Sequence, residues 1–171
     1  MTVSLCLFCA SLYFRCKISS VAALKSKDYF FVIVQFLLFL AYAWEPTWLT
    51  FRRSDTLGNL GLLLTVAAVL AGSAALLHLW KTFSPFPTPV AAGELITTGL
   101  FAVARHPIYT ALLLAAFGYA LYTGSGYRML IGLALLVLFY FKSDYEEQRL
   151  AAHYPDYAAY RGKVGRFGPG F

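Results

Sequence analysis

Thr97-Thr98-Gly99-Leu100-Phe101-Ala102-Val103-Ala104-Arg105-His106-Pro107-Ile108-Tyr109 places Arg, His and Tyr together where polar backbone gives way to an apolar run that continues through Tyr122. Charge at the mouth of so apolar a segment marks a membrane boundary, where an ionisable residue needs a reason to be. Pro107 suits the first turn of the helix that follows, since its missing N–H would have no partner there anyway. Thr123-Gly124-Ser125-Gly126 reads as a tight turn. The next apolar run, Met129 to Phe141, is short, yet nothing breaks its helix before about His153. Its last turns carry Lys142, Asp144, Glu146, Glu147 and Arg149, so two polar clusters bracket one hydrophobic hairpin.

The rest of the chain agrees with that reading. Of its 171 residues 60% are hydrophobic and 13% charged, against about a quarter charged in a soluble domain. We expect an all-α integral membrane bundle. Upstream spans are expected from Tyr29 to Trp44, closed by Glu45-Pro46 with Trp44 and Trp48 as interfacial anchors, and from Leu57 to Trp80. After Lys81, Pro85, Pro87 and Pro89 on alternate positions exclude a regular helix and favour extended backbone. Residues 99–106 are expected to form a short helix. Residues 1–14 are apolar but shorter than the roughly 18 that argue for a span, which leaves an interfacial helix, a partial span or an upstream extension. The expectation is therefore four spans, or five if that segment crosses, followed by a cytoplasmic helical segment. One domain covers 1–171, with the motifs in 57–171 and variable N-terminal helices in 1–56.

The net charge of +6 is spread between apolar runs and accompanies no RNA- or DNA-binding motif, which argues against nucleic acid. Both termini on the cytoplasmic side leave only Arg52, Arg53 and Arg128 on the other face, in keeping with the positive-inside rule. Both polar clusters then meet in the cytoplasm. Cys6, Cys9 and Cys16 cannot frame the whole fold with disulfides, and Cys6-x-x-Cys9 lacks the second pair of a zinc site. They read as packing residues or free thiols. His78, His106 and His153 show no metal-ligand spacing, and we expect no metal. No HExxH, P-loop, dinucleotide-binding or G-x-S-x-G pattern occurs.

Each polar cluster admits a bland and a functional reading. Arg105 can snorkel to lipid phosphates while His106 caps the helix. Alternatively, free N–H groups and the helix dipole, reinforced by Arg105, make an anion site suited to a carboxylate or phosphate. On the last long helix Asp144 and Glu147 share a face with Tyr140, whereas Glu146 points about 100° away, toward Lys142. A solvated helix end with a Lys142/Glu146 ion pair is one reading; Glu147 as the pocket residue and Glu146 as its surface neighbour is the other. Tyr154, Tyr157 and Tyr160, with Arg161, form either an interfacial aromatic belt or faces that surround a cation or an adenine. His78, near the end of the second span, is a functional candidate as an ionisable group within the membrane, but packing is the favoured reading.

Taken together, Thr97-Thr98-Gly99-Leu100-Phe101-x-x-x-Arg105-His106-Pro107-Ile108-Tyr109 and Glu146-Glu147-x-x-Leu150-x-x-x-Tyr154-x-x-Tyr157-x-x-Tyr160-Arg161-x-x-Val164 resemble the isoprenylcysteine carboxyl methyltransferase family of membrane enzymes. The resemblance covers roughly residues 57–171. It implies an S-adenosylmethionine-dependent methyltransferase whose donor lies on the cytoplasmic side, with Arg105, His106, Pro107, Tyr109, Glu146, Glu147, Tyr157 and Tyr160 around it. Arg161 and Glu147 are then the catalytic candidates, Arg161 orienting an anionic group of a lipophilic or prenylated acceptor and a membrane lipid being the expected partner. The chain departs from the better-known members in ending Gly165-Arg166-Phe167-Gly168-Pro169-Gly170-Phe171 and in having few spans. Related patterns occur in phospholipid N-methyltransferases and membrane sterol reductases. The alternatives are thus a phospholipid N-methyltransferase, an NADPH-dependent lipid reductase, or a non-enzymatic lipid-binding protein. A carboxylate acceptor is already ionised and needs only an orienting cation, whereas a thiol or ammonium must lose a proton. With no evident His/carboxylate dyad in the sequence, Arg105 and Arg161 favour a carboxylate.

Overall fold

The computed structural model describes residues 26–44, 46, 49–79 and 95–169, and these contain helices and turns with no β-strand. Four long helices run up and down: α1 (Ser26–Ala43), α2 (Asp55–His78), α3 (Pro107–Thr123) and α4 (Gly126–His153), followed by a short α5 (Tyr157–Arg161). A 3-10 turn at Gly99–Ala102 stands where the short helix over 99–106 was expected; His106 itself, with φ −122° and ψ 61°, is outside helical geometry. The expectations for Cys6, Cys9, Cys16 and the apolar segment 1–14, for Glu45 and Trp48, and for Trp80, Lys81 and the proline-rich stretch fall outside the described residues.

Local chemistry sets the helix ends. Ser54 caps α2, its hydroxyl accepting from the Leu57 N–H at 3.2 Å, and Ser125 caps α4 in the same way through Arg128. Pro107 occupies the first turn of α3, and Gly124 ends that helix with φ 65°, a left-handed conformation that glycine adopts without strain. The α3–α4 turn is pinned from outside, because Phe51 N–H donates to the Gly124 carbonyl and Gly126 N–H to that of Leu49.

Three helices, α1, α2 and α4, are long and apolar enough to cross a membrane; α3 is equally apolar but has 17 residues. At 1.5 Å per residue the 28 residues of α4 reach about 42 Å, beyond the roughly 30 Å of a hydrocarbon core. Its last turns are the polar ones. The helices are arranged α1, α4, α3, α2, with α3 between α4 and α2. Large apolar side chains such as Phe36 and Leu40 on α1 and Leu63 and Leu70 on α2 face outward, as expected of helices surrounded by lipid.

In lipid, apolar side chains gain little by leaving their solvent, so association relies on close packing and polar contacts. The α2–α3 contact, the most extensive in the bundle, is a small-residue seam. A Cβ on Gly61 would lie 2.6 Å from the Gly118 carbonyl oxygen, and one on Gly118 would lie 2.7 Å from that of Gly61. Leu113 and Ala116 of α3 meet Leu135 and Phe139 of α4, with Leu38, Phe39 and Tyr42 of α1 packed against them. Polar ties complete the α1–α4 contact: Lys142 Nζ donates to Gln35 Oε1 at 2.8 Å, and Arg149 pairs with the buried Asp28 at 3.3 Å. These contacts bring the start of α3 and the polar end of α4 to the same end of the bundle.

Candidate active site

The approach to α3 makes a sharp corner. Gly99, at φ 63°, opens the 3-10 turn, and the Tyr160 hydroxyl donates to the Phe101 carbonyl at 2.6 Å, tying that turn to α5. A single parallel bridge pairs Ala104 with Gly165. Arg105 N–H donates to Gly165 O and His106 N–H to Arg166 O, and the Thr110 hydroxyl donates to Phe167 O at 2.9 Å. A strap formed by residues 164–167 therefore lies along the corner and satisfies backbone donors that a helix start leaves open.

Side chains from the corner converge on Glu147, which is 1% exposed. Arg105 grips it through Nε to Oε1 at 3.0 Å and Nη2 to Oε2 at 3.3 Å, a two-point geometry stronger than a single charged hydrogen bond. The remaining Arg105 nitrogen donates to the carbonyls of Arg161 and Val164. His106 Nε2 reaches Glu147 Oε1 at 3.2 Å, while Nδ1 lies 3.5 Å from Glu146 Oε2. His106 precedes α3 but its ring does not cap the helix. The anion that meets the Arg105/His106 corner comes from the chain itself.

Glu146 accepts from the Tyr109 hydroxyl at 2.6 Å. The Tyr109 ring stacks between His106 and Phe139, at centroid distances of 5.4 and 4.6 Å and 3° from parallel in both cases. Lys142 Nζ lies 5.4 Å from the centre of the same ring. Both glutamates therefore turn inward, and Glu146, at 15% side-chain exposure, is not the surface neighbour expected for it. The helical phase does point them in different directions, but His106 is wide enough to touch both. A His/carboxylate arrangement thus exists where the sequence showed none, because its members are 41 positions apart.

Tyr140, Asp144 and Glu147 share one face of α4, and the side chain joining them is Arg166. Its Nη2 is 3.0 Å from Asp144 Oδ1, its Nε is 3.3 Å from Glu147 Oε1, and its guanidinium lies 5.0 Å from the Tyr140 ring centre. Burial works against the Arg166 charge, but the Asp144 hydrogen bond and the Glu147 carboxylate outweigh it and hold its pKa above the ordinary arginine value. Sequence reasoning did not select Arg166; the available signal was a basic residue two positions after Val164, in a tail noted only for its departure from the expected pattern.

The other candidates take varied positions. Pro107 is buried at the helix start and contributes shape. Arg161 is 55% exposed and only approaches Glu147, with Nε 3.5 Å from Oε2. The Tyr160 hydroxyl is taken by Phe101 O. Tyr157, 1% exposed, buries its hydroxyl with no hydrogen-bond partner among the described residues. Burial, then the nearby Glu147 charge, pushes the Tyr157 phenol well above its ordinary pKa. His78 faces Thr98 Oγ1 at 3.2 Å and packs beside Phe101.

This end of the bundle is thus a preorganised set of charges and dipoles, three arginines against the carboxylates of Glu147 and Asp144, with the buried Tyr157 hydroxyl beside them. The sequence model of the phospholipid methyltransferases matches residues 55–157, which span the corner, both glutamates and Tyr157. No curated protein sequence matches the chain.

Proposed function

The chain belongs to the phospholipid methyltransferase family, and on that premise we propose that it transfers a methyl group from S-adenosylmethionine to a lipophilic acceptor, in the manner of the isoprenylcysteine carboxyl methyltransferases. The observation that carries this reading is the convergence of Arg105 and His106 on Glu147 beside the Tyr157 hydroxyl, which has no partner among the described residues. A buried hydroxyl without a partner costs about 1–3 kcal/mol, and a bound ligand that hydrogen-bonds to it removes that cost.

The side chains fit a zwitterionic nucleoside. Glu146 and Glu147 are carboxylates for its amino or hydroxyl groups, and Tyr157 and Tyr160 bring aromatic faces. In this reading Arg105, His106, Pro107 and Tyr109 form one wall of the donor site and Glu146, Glu147, Tyr157 and Tyr160 the other. S-adenosylmethionine supplies an electrophilic methyl on a sulfonium, and positioning provides much of the acceleration in such a displacement. Arg105 holds Glu147 rigid, and the strap covers the corner from the outside.

Arg161 is the residue suited to anchoring an anionic group of the acceptor, either the carboxylate of a prenylated cysteine or the phosphate of a phospholipid. A carboxylate acceptor needs nothing more. An amine acceptor must also lose a proton, and Glu146 with its Tyr109 partner is the more exposed of the two glutamates available to take it. The acceptor enters from the bilayer and the donor from the cytoplasm, with both termini on that side.

The test is transfer of labelled methyl from S-adenosylmethionine into a lipid extract and, in parallel, into a prenylcysteine analogue and an ethanolamine phospholipid, with products identified by mass spectrometry. Calorimetry in detergent that detects binding of neither the donor nor its demethylated product sinks the proposal. Thermal protection by NADPH in place of the donor would favour a lipid reductase.

A further inference from the structure

Three segments distant in sequence close a ring at this site. The Arg166 carbonyl accepts from His106 N–H at 3.0 Å, Arg166 Nε lies 3.3 Å from Glu147 Oε1, and His106 Nε2 lies 3.2 Å from that same oxygen. Arg166 touches both walls, one through its backbone and the other through its side chain. Its guanidinium is held in turn by Asp144 Oδ1 at 3.0 Å and by the Tyr140 ring. Arg161 makes a useful contrast, since it approaches the other oxygen of Glu147 at 3.5 Å and is 55% exposed, whereas Arg166 is 12% exposed. One arginine is able to leave the carboxylate and the other is built in. The matched family region ends at residue 157, so the strap that carries Arg166 lies beyond it.

We infer that Arg166 is a positioning residue that fixes the Glu147 carboxylate against the Arg105/His106 corner, and that through it the strap at 164–167 sets the affinity for the methyl donor. The inference rests on the methyltransferase reading above. Without Arg166, Oε1 loses one of its three donors and Asp144 loses its guanidinium, so the carboxylate is freed to turn toward Arg161. Lysine is a partial substitute: a point charge reaches Glu147 or Asp144, but cannot bridge both as the guanidinium does beside the Tyr140 ring.

The experiment uses the full chain in detergent, with donor affinity by calorimetry and initial rates at varied S-adenosylmethionine on whichever acceptor the wild type methylates. Arg166→Gln is expected to weaken donor binding and raise the donor KM by about tenfold, with kcat at saturating donor within about threefold of wild type. Arg166→Lys is expected to recover part of the affinity. Wild-type affinity in folded Arg166→Gln, or a loss of kcat at unchanged donor KM, overturns the inference. If Arg166→Gln does not fold, Arg166→Lys decides: donor affinity weakened about threefold or more supports the inference, and unchanged affinity overturns it. A wild-type protein that binds no donor overturns the methyltransferase reading and this inference together, whereas variants indistinguishable from a donor-binding wild type overturn the inference alone.

Discussion

His106 Nε2 stands 3.2 Å from Glu147 Oε1, joining the residue that opens α3 to the polar end of α4 across 41 positions of chain. The contact is buried, with side-chain exposures of 8% and 1%, and it shares its carboxylate oxygen with Arg105 and Arg166. Removing the Glu147 charge should leave the buried Arg105 without its counterion and Arg166 with Asp144 alone. Breaking a buried pair from one side costs about 3–5 kcal/mol. Glu147→Gln, which preserves shape, is expected to destabilise the protein by about 3 kcal/mol on that scale and to abolish donor binding. Thermal melts in detergent paired with calorimetry check both effects, and a variant as stable as wild type refutes this account of the network.

Arg105 and Arg161 should behave differently although both reach Glu147. Arg105 pairs with the carboxylate at two points and also holds two carbonyls of the tail segment, so Arg105→Ala is expected to lower stability and donor binding together. Arg161 is exposed, and exposed pairs are worth less than about 1 kcal/mol. Arg161→Ala should melt close to wild type while raising the acceptor KM at least tenfold. Equal effects of Arg161→Ala on melting and on rate would count against its proposed role.

Tyr157 offers a trade between stability and function. Phenylalanine at this position removes a buried hydroxyl that has no partner among the described residues, so Tyr157→Phe is expected to stabilise the ligand-free protein by about 1 kcal/mol while weakening donor binding several-fold. The same residue contributes to alkaline instability. Its folded-state pKa is raised above the ordinary 10.0, so its contribution is intact below pH 10 and is lost as pH rises and the unfolded phenol ionises first. Melting temperature followed from pH 8 to 11 should fall less steeply in the variant.

The α2–α3 seam gives a test away from the site. Gly118→Ala places a Cβ 2.7 Å from a backbone oxygen of Gly61, and overpacking of this kind costs about 1–3 kcal/mol. Gly168→Ala is the control, because no atom of the described residues lies within 4 Å of its new Cβ. Melting should drop for the first and stay unchanged for the second, with donor affinity per folded molecule kept in both.

Much of the fold is legible in the sequence. The boundaries expected for the helices after Tyr29, Leu57, Pro107 and Met129 fall within a few residues of those observed, because hydropathy, a proline at a helix start and a glycine at a helix end act over short stretches. The shared face of Tyr140, Asp144 and Glu147 also followed from helical phase alone. Less legible was the inward turn of Glu146. Its phase along α4 is fixed by position, but Tyr109 and His106 come from another helix and its approach, and their reach cannot be inferred from spacing along α4.

By itself, then, the sequence determined an all-helical membrane bundle, the turn between α3 and α4, and two polar clusters at the ends of one hairpin. Those properties are local, written in residue type and period. The tertiary structure decided which charges meet: that Arg105 and His106 both take Glu147, that the Tyr157 hydroxyl is buried with no partner among the described residues, and that Arg166 closes the ring. These depend on the route of a strap whose backbone pairs with residues some 60 positions earlier, as when Arg105 donates to Gly165. Long-range pairing of this kind follows from packed helices and shared hydrogen-bond donors, and it leaves no period in the chain for a reader to find.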